Sequence, residues 1–229
     1  MKTLQILAPS AFAPALLRLS EIYGHCDLNF RWGPAAGAAP TSIVSQLKSQ
    51  TAADAALLPG PLMSQQIQNG YIDQNCRAKA FKTCIAVAVS NRRASVELDT
   101  MDRLEAALLG AENIGVSEAG SGLYVRDRLI PRFKSSERIT TRLRVIDGPV
   151  GKAVRDGEVE LGFQQRIELM AIEGITILHC IPEAAMNPTP IEIGAIVGSP
   201  NQQEVKDFAA FFASNEAGAV LNEMGLDAP

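Results

Sequence analysis

With 229 residues, 47% of them hydrophobic and 20% charged, the chain has an ordinary globular composition and length enough for one α/β unit or two compact lobes with a substantial core. A formal net charge of −4, with no cluster of Lys and Arg alternating with aromatics, leaves no electrostatic footprint for nucleic acid. No apolar run approaches the roughly 20 residues that cross a bilayer, and Pro14 with Arg18 interrupts the most apolar N-terminal stretch, so no membrane insertion is expected.

The opening reads as a strand over 2–8, stopped by Pro9 and followed by Ser10, a good helix N-cap. Pro14 then falls in the first helical turn, where its missing N–H costs little. Phe12, Leu16, Leu19 and Tyr23 recur at spacings of three and four, the stripe of a helix packed on a sheet. A second strand is predicted over 28–32. Gly33 to Pro40 is a loop rich in Gly, Ala and Pro, ahead of a helix from Thr41 or Ser42 that buries Ile43, Val44 and Leu47. Residues 52–58 form a third apolar run, bounded by Pro59-Gly60-Pro61 and read as a strand buried on both faces. A helix over 63–69 ends at Gly70.

Further strands are predicted over 84–89, 113–116, 142–146, 159–163, 175–180 and 192–197. Helices are predicted over 101–109, from Glu118-Ala-Gly-Ser-Gly-Leu-Tyr124 to about 129, after Pro149, from about 166, and over 202–213 and 216–224. Strands alternating with helices imply an α/β fold with mainly parallel sheets. If there are two lobes, the chain crosses between them near 82–90 and 188–196. That makes lobe one discontinuous, 1–83 plus 194–229, and lobe two 84–193.

Met1-Lys2-Thr3 leads straight into Leu4-Gln5-Ile6-Leu7, without the basic, apolar and small-residue segments of a signal peptide. A cytoplasmic chain is expected if Met1 is the native start; a periplasmic one with its signal removed is the alternative. Cys26, Cys76, Cys84 and Cys180 lack the paired spacing of a zinc or redox motif and read as free buried thiols, though Cys76 and Cys84 are close enough in sequence to leave a bridge open. His25 and His179 are the two histidines, too few for a His-rich metal site.

Several segments carry a family likeness over essentially the whole length. They are Ile6-Leu-Ala-Pro-Ser-Ala-Phe12 followed by Ala15-Leu16, Ala53-Asp-Ala-Ala-Leu-Leu58, and Phe208-Ala-Ala-Phe-Phe-Ala-Ser214 through Met224-Gly225-Leu226. Together they resemble the molybdate-binding-protein-like branch of the type II periplasmic solute-binding proteins. That resemblance implies a two-lobed fold closing by a hinge on a small anion in a cleft, without cofactor or metal, and an ABC transporter permease as partner only if the chain is exported. Two positions depart from the molybdate pattern: Ala11 stands where a serine contacts the oxyanion, and Gln165 where a tyrosine is typical. Gly162-Phe-Gln-Gln165-Arg-Ile-Glu168, with Gly120-Ser-Gly122-Leu-Tyr124, looks more like a sister group that includes aconitate isomerase.

The candidate ligand contacts follow from strand-to-helix junctions, where orphan N–H groups and the helix dipole favour anions. In lobe one they are Ser10, Ala11 and Phe12 at the first junction and Thr41 and Ser42 at the second, where a cap behind Pro40 explains the hydroxyls equally well. In lobe two they are Gly120, Ser121 and Gly122, which permit close backbone approach, with Tyr124 one turn in. Gln164 and Gln165 end a strand and alternate in direction, Gln165 being favoured for the ligand. Lys82 is a second-rank partner for a carboxylate, and Glu118 and Glu168 are the carboxylates best placed as a base, with no catalytic residue assigned. The leading reading is a binding protein for an oxyanion or a di- or tricarboxylate; the alternative is a cofactor-free isomerase of an unsaturated polycarboxylate.

Overall fold

The computed structural model describes residues 2–93, 96–118 and 120–229. The chain divides into two compact units, one formed by residues 1–82 and 189–229 and the other by 83–188, so it passes between them twice.

The first unit contains β1 (Thr3–Pro9), α1 (Ala13–Tyr23), β2 (Asp27–Gly33), α2 (Ile43–Lys48), β3 (Ala55–Pro59), α3 (Gly60–Gln68) and nearly all of β4 (Ile72–Thr83). The second contains β5 (Ile85–Ser90), α4 (Met101–Gly110), β6 (Ile114–Ser117), α5 (Gly120–Tyr124), α6 (Ser136–Thr140) and β7 (Leu143–Ile146). It continues with α7 (Val150–Asp156), β8 (Leu161–Gln165), α8 (Arg166–Met170) and β9 (Ile175–Cys180). The chain then returns to the first unit as β10 (Thr189–Ile196), α9 (Gln202–Phe211) and α10 (Asn215–Glu223).

Each unit is built on a five-stranded sheet, ordered β2-β1-β3-β10-β4 in the first and β7-β6-β8-β5-β9 in the second. β1 lies parallel between β2 and β3, and β6 lies parallel between β7 and β8. The expectation of mainly parallel sheets gives way to mixed ones, because β10 runs antiparallel to β3 and β5 antiparallel to β8 and β9. The reason lies in the crossings. β5 starts with Ile85 opposite Gln165, the last residue of β8, and β10 enters with Ile191 opposite Pro59, the last residue of β3. A strand that enters a sheet at the carboxyl edge of its neighbour must run against that neighbour.

The start of α1 also differs from its prediction: Ser10–Phe12 is a 3-10 turn, Ser10 makes no side-chain cap bond, and the α-helix begins at Ala13. Pro14 explains this. It has no N–H to return to the Ser10 carbonyl, which accepts instead from the N–H of Ala13. β4 was not predicted; its run Asp73-Gln-Asn-Cys-Arg is polar and largely exposed, as suits the edge strand it forms. The short α6 was likewise not predicted.

The first unit's core joins sheet to helices through aromatic rings. Phe12 meets Phe81 edge-on at 5.0 Å, and Phe208 lies 5.0 Å from both Tyr23 and Phe212. The stripe Phe12, Leu16, Leu19, Tyr23 is buried throughout, and burial pushes the Tyr23 phenol up to about 12. The second unit's core is aliphatic, with Val87, Leu104, Leu108, Ile114, Val125 and Leu129 gathered around Phe163.

The cysteines correct a further expectation. Cys84 and Cys180 form a disulfide with Cα atoms 5.9 Å apart, while Cys26 and Cys76 are free and buried. The pairing follows from strand order: β5 and β9 are neighbours with Ala86 opposite Cys180, which brings together two residues 96 apart in sequence. Cys84 is committed to that bond, which closes off a link to Cys76.

Candidate functional site

Where three parallel strands of one sheet end side by side, their following segments share one edge, and the candidate residues gather there. In the first unit Pro9 stands opposite Gly33 in the register of β1 with β2. Ser10 is exposed, Ala11 half-buried and Phe12 buried. The Ser10 hydroxyl has no hydrogen-bond partner among the described residues. Phe12 contributes its ring to the core, which leaves only its backbone for a ligand.

At the second junction Thr41 is exposed, but Ser42 is buried and its hydroxyl is fully engaged. Ser42 Oγ donates to the Gly37 carbonyl at 3.0 Å, lies 2.8 Å from Ser45 Oγ and accepts from the Ser45 N–H at 3.2 Å. Its side chain caps α2. The loop before it folds back so closely that a Cβ on Gly33 would overlap the Thr41 carbonyl oxygen. The third junction, at Gly60, already faces a carboxylate: Glu192 lies against it and is paired with Arg77 at 2.7 and 2.8 Å.

In the second unit β6 ends at Ser117, opposite Ile146 of β7. Gly122 is packed so tightly on the backbone of Ser117 that any Cβ would overlap its carbonyl oxygen, which explains a glycine at that position. Ser121 is buried, with its Oγ 3.2 Å from that of Ser117. Gly120 opens the helix and has open space around its Cα. Tyr124 does other work: its hydroxyl donates to the Ala185 carbonyl at 2.8 Å and its ring packs on the core, tethering the segment that leaves β9.

Gln164 and Gln165 diverge as the strand pleat requires. Gln164 is buried; its Oε1 accepts from the Gly151 N–H at 3.4 Å and its Nε2 donates to Glu168 at 3.1 Å. The Oε1 of Gln165 accepts from Thr83 Oγ1 at 2.8 Å. Thr83 thereby fixes the orientation of that amide and leaves its Nε2 hydrogens as the outward donors.

Of the two candidate bases, Glu118 is exposed. Glu168 is half-buried, and burial raises its pKa against the opposing hydrogen bonds from Gln164 and from the Gln165 N–H. Its contact with that N–H is the returning half of a capping box on α8. Lys82 uses its backbone in an antiparallel bridge with Asp227.

Sequence reasoning missed Ser117, Thr83 and the pair Cys84 and Cys180 at the second edge. Ser117 and Thr83 are lone hydroxyls in strand sequence: Ser117 meets Ser121 four positions on, across the strand-to-helix turn, and the sheet register brings Thr83 to Gln165. Two cavities, of about 660 Å³ by Leu98, Ala107 and Leu161 and about 580 Å³ by Asp54, Tyr71 and Ile196, lie at the opposite, amino edges of their sheets. In the latter, Asp54 is satisfied by the Gln5 N–H, Ser199 and Asn201. Among the described residues no group of three or more His, Cys, Asp or Glu is arranged to hold a metal ion, and no helix is long and apolar enough to cross a membrane.

The family model described as bacterial extracellular solute-binding protein matches residues 4–227. An aconitate isomerase from a Pseudomonas species is 26% identical over 228 residues, covering 98% of this chain and 87% of that protein. A substrate-binding domain assigned to a molybdenum ABC transporter of Clostridium difficile has a TM-score of 0.80 at 18% identity, over 99% of both chains. The periplasmic molybdate-binding protein of Azotobacter vinelandii has a TM-score of 0.69 at 15% identity, again over 99% of both. The last two matches establish the fold.

Proposed function

The chain belongs to the bacterial extracellular solute-binding protein family, and from that premise we propose that it captures one small anion, an oxyanion or a di- or tricarboxylate, by hydrogen bonds. The observation that carries this reading is the chemistry of the two carboxyl edges. Ser10 in one unit, and Ser121 and Gln165 in the other, bring hydroxyl and amide hydrogens to strand-to-helix junctions where backbone N–H groups also gather. The names of the similar proteins, which speak of molybdate and aconitate, point to the same ligand class. Binding of this kind needs no covalent step and no cofactor.

The experiment is thermal melting and calorimetry against molybdate, sulfate, cis-aconitate and simple di- and tricarboxylates. A ligand at a hundredfold its Kd should stabilise the folded chain by about 2.7 kcal/mol. Stabilisation by an apolar compound, with every anion inert, would overturn the reading.

A second reading is favoured by the likeness to aconitate isomerase over nearly the whole chain. In it a base takes a proton from one end of an allylic system and a proton is returned at the other, so that one C–H bond breaks, another forms and the double bond moves, with no net oxidation. Glu168 is the candidate base, since burial raises its pKa towards the range a general base needs. Incubating the protein with cis-aconitate in deuterated water and following deuterium uptake by NMR separates the readings: exchange above the buffer control supports catalysis, and tight binding without exchange leaves a binder.

The Cys84–Cys180 disulfide supports an oxidising compartment outside the cytoplasm, since reduced compartments keep thiols apart. There the partner of a solute-binding protein is the permease of an ABC transporter. Alkylating the protein taken directly from its host checks the placement: two blocked thiols, those of Cys26 and Cys76, support it, and four sink it.

A further inference from the structure

Resting on the anion-binding reading, we propose that Ser117 is a positioning residue that aims the Ser121 hydroxyl, and that the pair accepts only a ligand oxygen without a hydrogen of its own. Ser117 and Ser121 are 8% and 7% exposed, and their Oγ atoms are 3.2 Å apart. Neither hydroxyl has another hydrogen-bond partner among the described residues. The pair therefore holds two hydrogens and makes one bond. Among the described residues one hydrogen is left without an acceptor in a buried place, where an unmet donor carries its full desolvation cost.

That leftover hydrogen sits at the carboxyl edge of β6, beside the opening turn of α5, so a ligand placed at this junction can supply the acceptor. When a ligand oxygen meets Ser121, the hydrogens align in one direction: Ser117 donates to Ser121, and Ser121 donates to the ligand. Each bond in such a chain polarises the next. An ionised oxygen terminates the chain with every hydrogen used. A protonated oxygen brings a third hydrogen and leaves the chain with one in excess again. The ligand atom selected at this point is thus an oxygen without a hydrogen, ionised or doubly bonded, and Ser117 contributes without touching it.

The test is calorimetry with molybdate and cis-aconitate on the whole chain. Ser117→Ala should weaken binding of whichever probe the wild type takes by about five- to tenfold, the loss of one aligned hydrogen bond, while Ser117→Thr, which keeps the hydroxyl, restores it. Adding Ser117→Ala to Ser121→Ala should cost nothing further, because both act through one chain. A residue with a merely structural role would lower the melting temperature without this coupling. Should Ser117→Ala fail to fold, Ser117→Cys keeps the volume with a weak donor and is expected to show the same loss. Unchanged affinity in the Ala or Cys variant, or losses that multiply, overturns the role of Ser117 alone. A wild type that binds neither these probes nor sulfate nor any simple di- or tricarboxylate overturns the anion reading and this one with it.

Discussion

The first unit orders its strands β2-β1-β3-β10-β4 and the second β7-β6-β8-β5-β9. In both, the first strand of a parallel trio lies central, and a strand arriving from the other unit joins antiparallel at the third. The same layout is held in different ways. The first unit combines packing, through a ring cluster from Phe12 to Phe212 and a loop pressed onto Gly33, with the bonds of Ser42 and an ion pair between Arg77 and Glu192. The second has an aliphatic core, and its carboxyl edge is held by a side-chain network (Ser117 with Ser121, Thr83 with Gln165) and by a covalent clamp from Cys84 to Cys180. The edges therefore differ in the tie between strands, ionic from Arg77 to Glu192 in the first unit and covalent from Cys84 to Cys180 in the second, and the two answer differently to mutation and to redox conditions.

The largest expected effect sharpens that contrast. Reducing the disulfide, or replacing Cys84 and Cys180 by Ser, should destabilise the second unit by about 4 to 5 kcal/mol, the loop-closure value for a bridge spanning roughly 100 residues. Hydrogen exchange should report this loss in β5, β8 and β9 while β1 and β3 stay protected. Equal loosening of both units would break the comparison.

Next come the two glycines under carbonyls, one at each edge. Gly33→Ala and Gly122→Ala each force a Cβ into backbone oxygen, and each is expected to cost about 1 to 3 kcal/mol or more in urea unfolding. Here the units should respond alike. An Ala variant as stable as the wild type would show that its edge can relax.

Ligand affinity separates the edges at a smaller scale. Ser121→Ala and Gln165→Ala should each weaken anion binding by roughly 1.5 to 3 kcal/mol, the range for hydrogen bonds to charge. Ser42→Ala should instead lower stability by about 1 kcal/mol through its lost cap, with affinity unchanged by calorimetry. A Ser42 variant that binds weakly would return that hydroxyl to the ligand.

The smallest effect concerns Glu168. Its pKa is raised by burial in the folded chain, so below the ordinary carboxyl value of 4.5 both states hold the proton. As pH climbs past that value the unfolded state ionises first, and stability falls until the folded carboxyl ionises too. Glu168→Gln should therefore give a small gain in stability at neutral pH and a flatter profile above 4.5, seen in melts across pH. Gln at this position can still reach the Gln165 N–H.

The sequence carried the positions of strands and helices wherever periodicity was strong. The stripe from Phe12 to Tyr23 and the apolar run ending at Leu58 needed no tertiary information, because burial on one face or on both writes itself into local spacing. The junction residues were legible for the same reason: Ser10, Ser42, Ser121 and Gln165 all stand where a strand pattern gives way to a helix pattern. β4 was not legible, since a half-exposed edge strand has no apolar alternation to read.

What the sequence by itself determined is the alternation of elements, and with it a donor-rich carboxyl edge in each unit. What only the tertiary structure decided is which groups at those edges are already engaged. Ser42 turned inward to cap its helix, Tyr124 reached Ala185, Ser117 met Ser121, and Cys84 found Cys180 rather than remaining free. Ser42 and Ser117 meet partners within five positions, through the local path of the chain, whereas Tyr124 and Cys84 meet theirs through strand order that joins residues 61 and 96 positions apart. A hydroxyl or thiol looks the same in sequence whichever partner the fold brings to it.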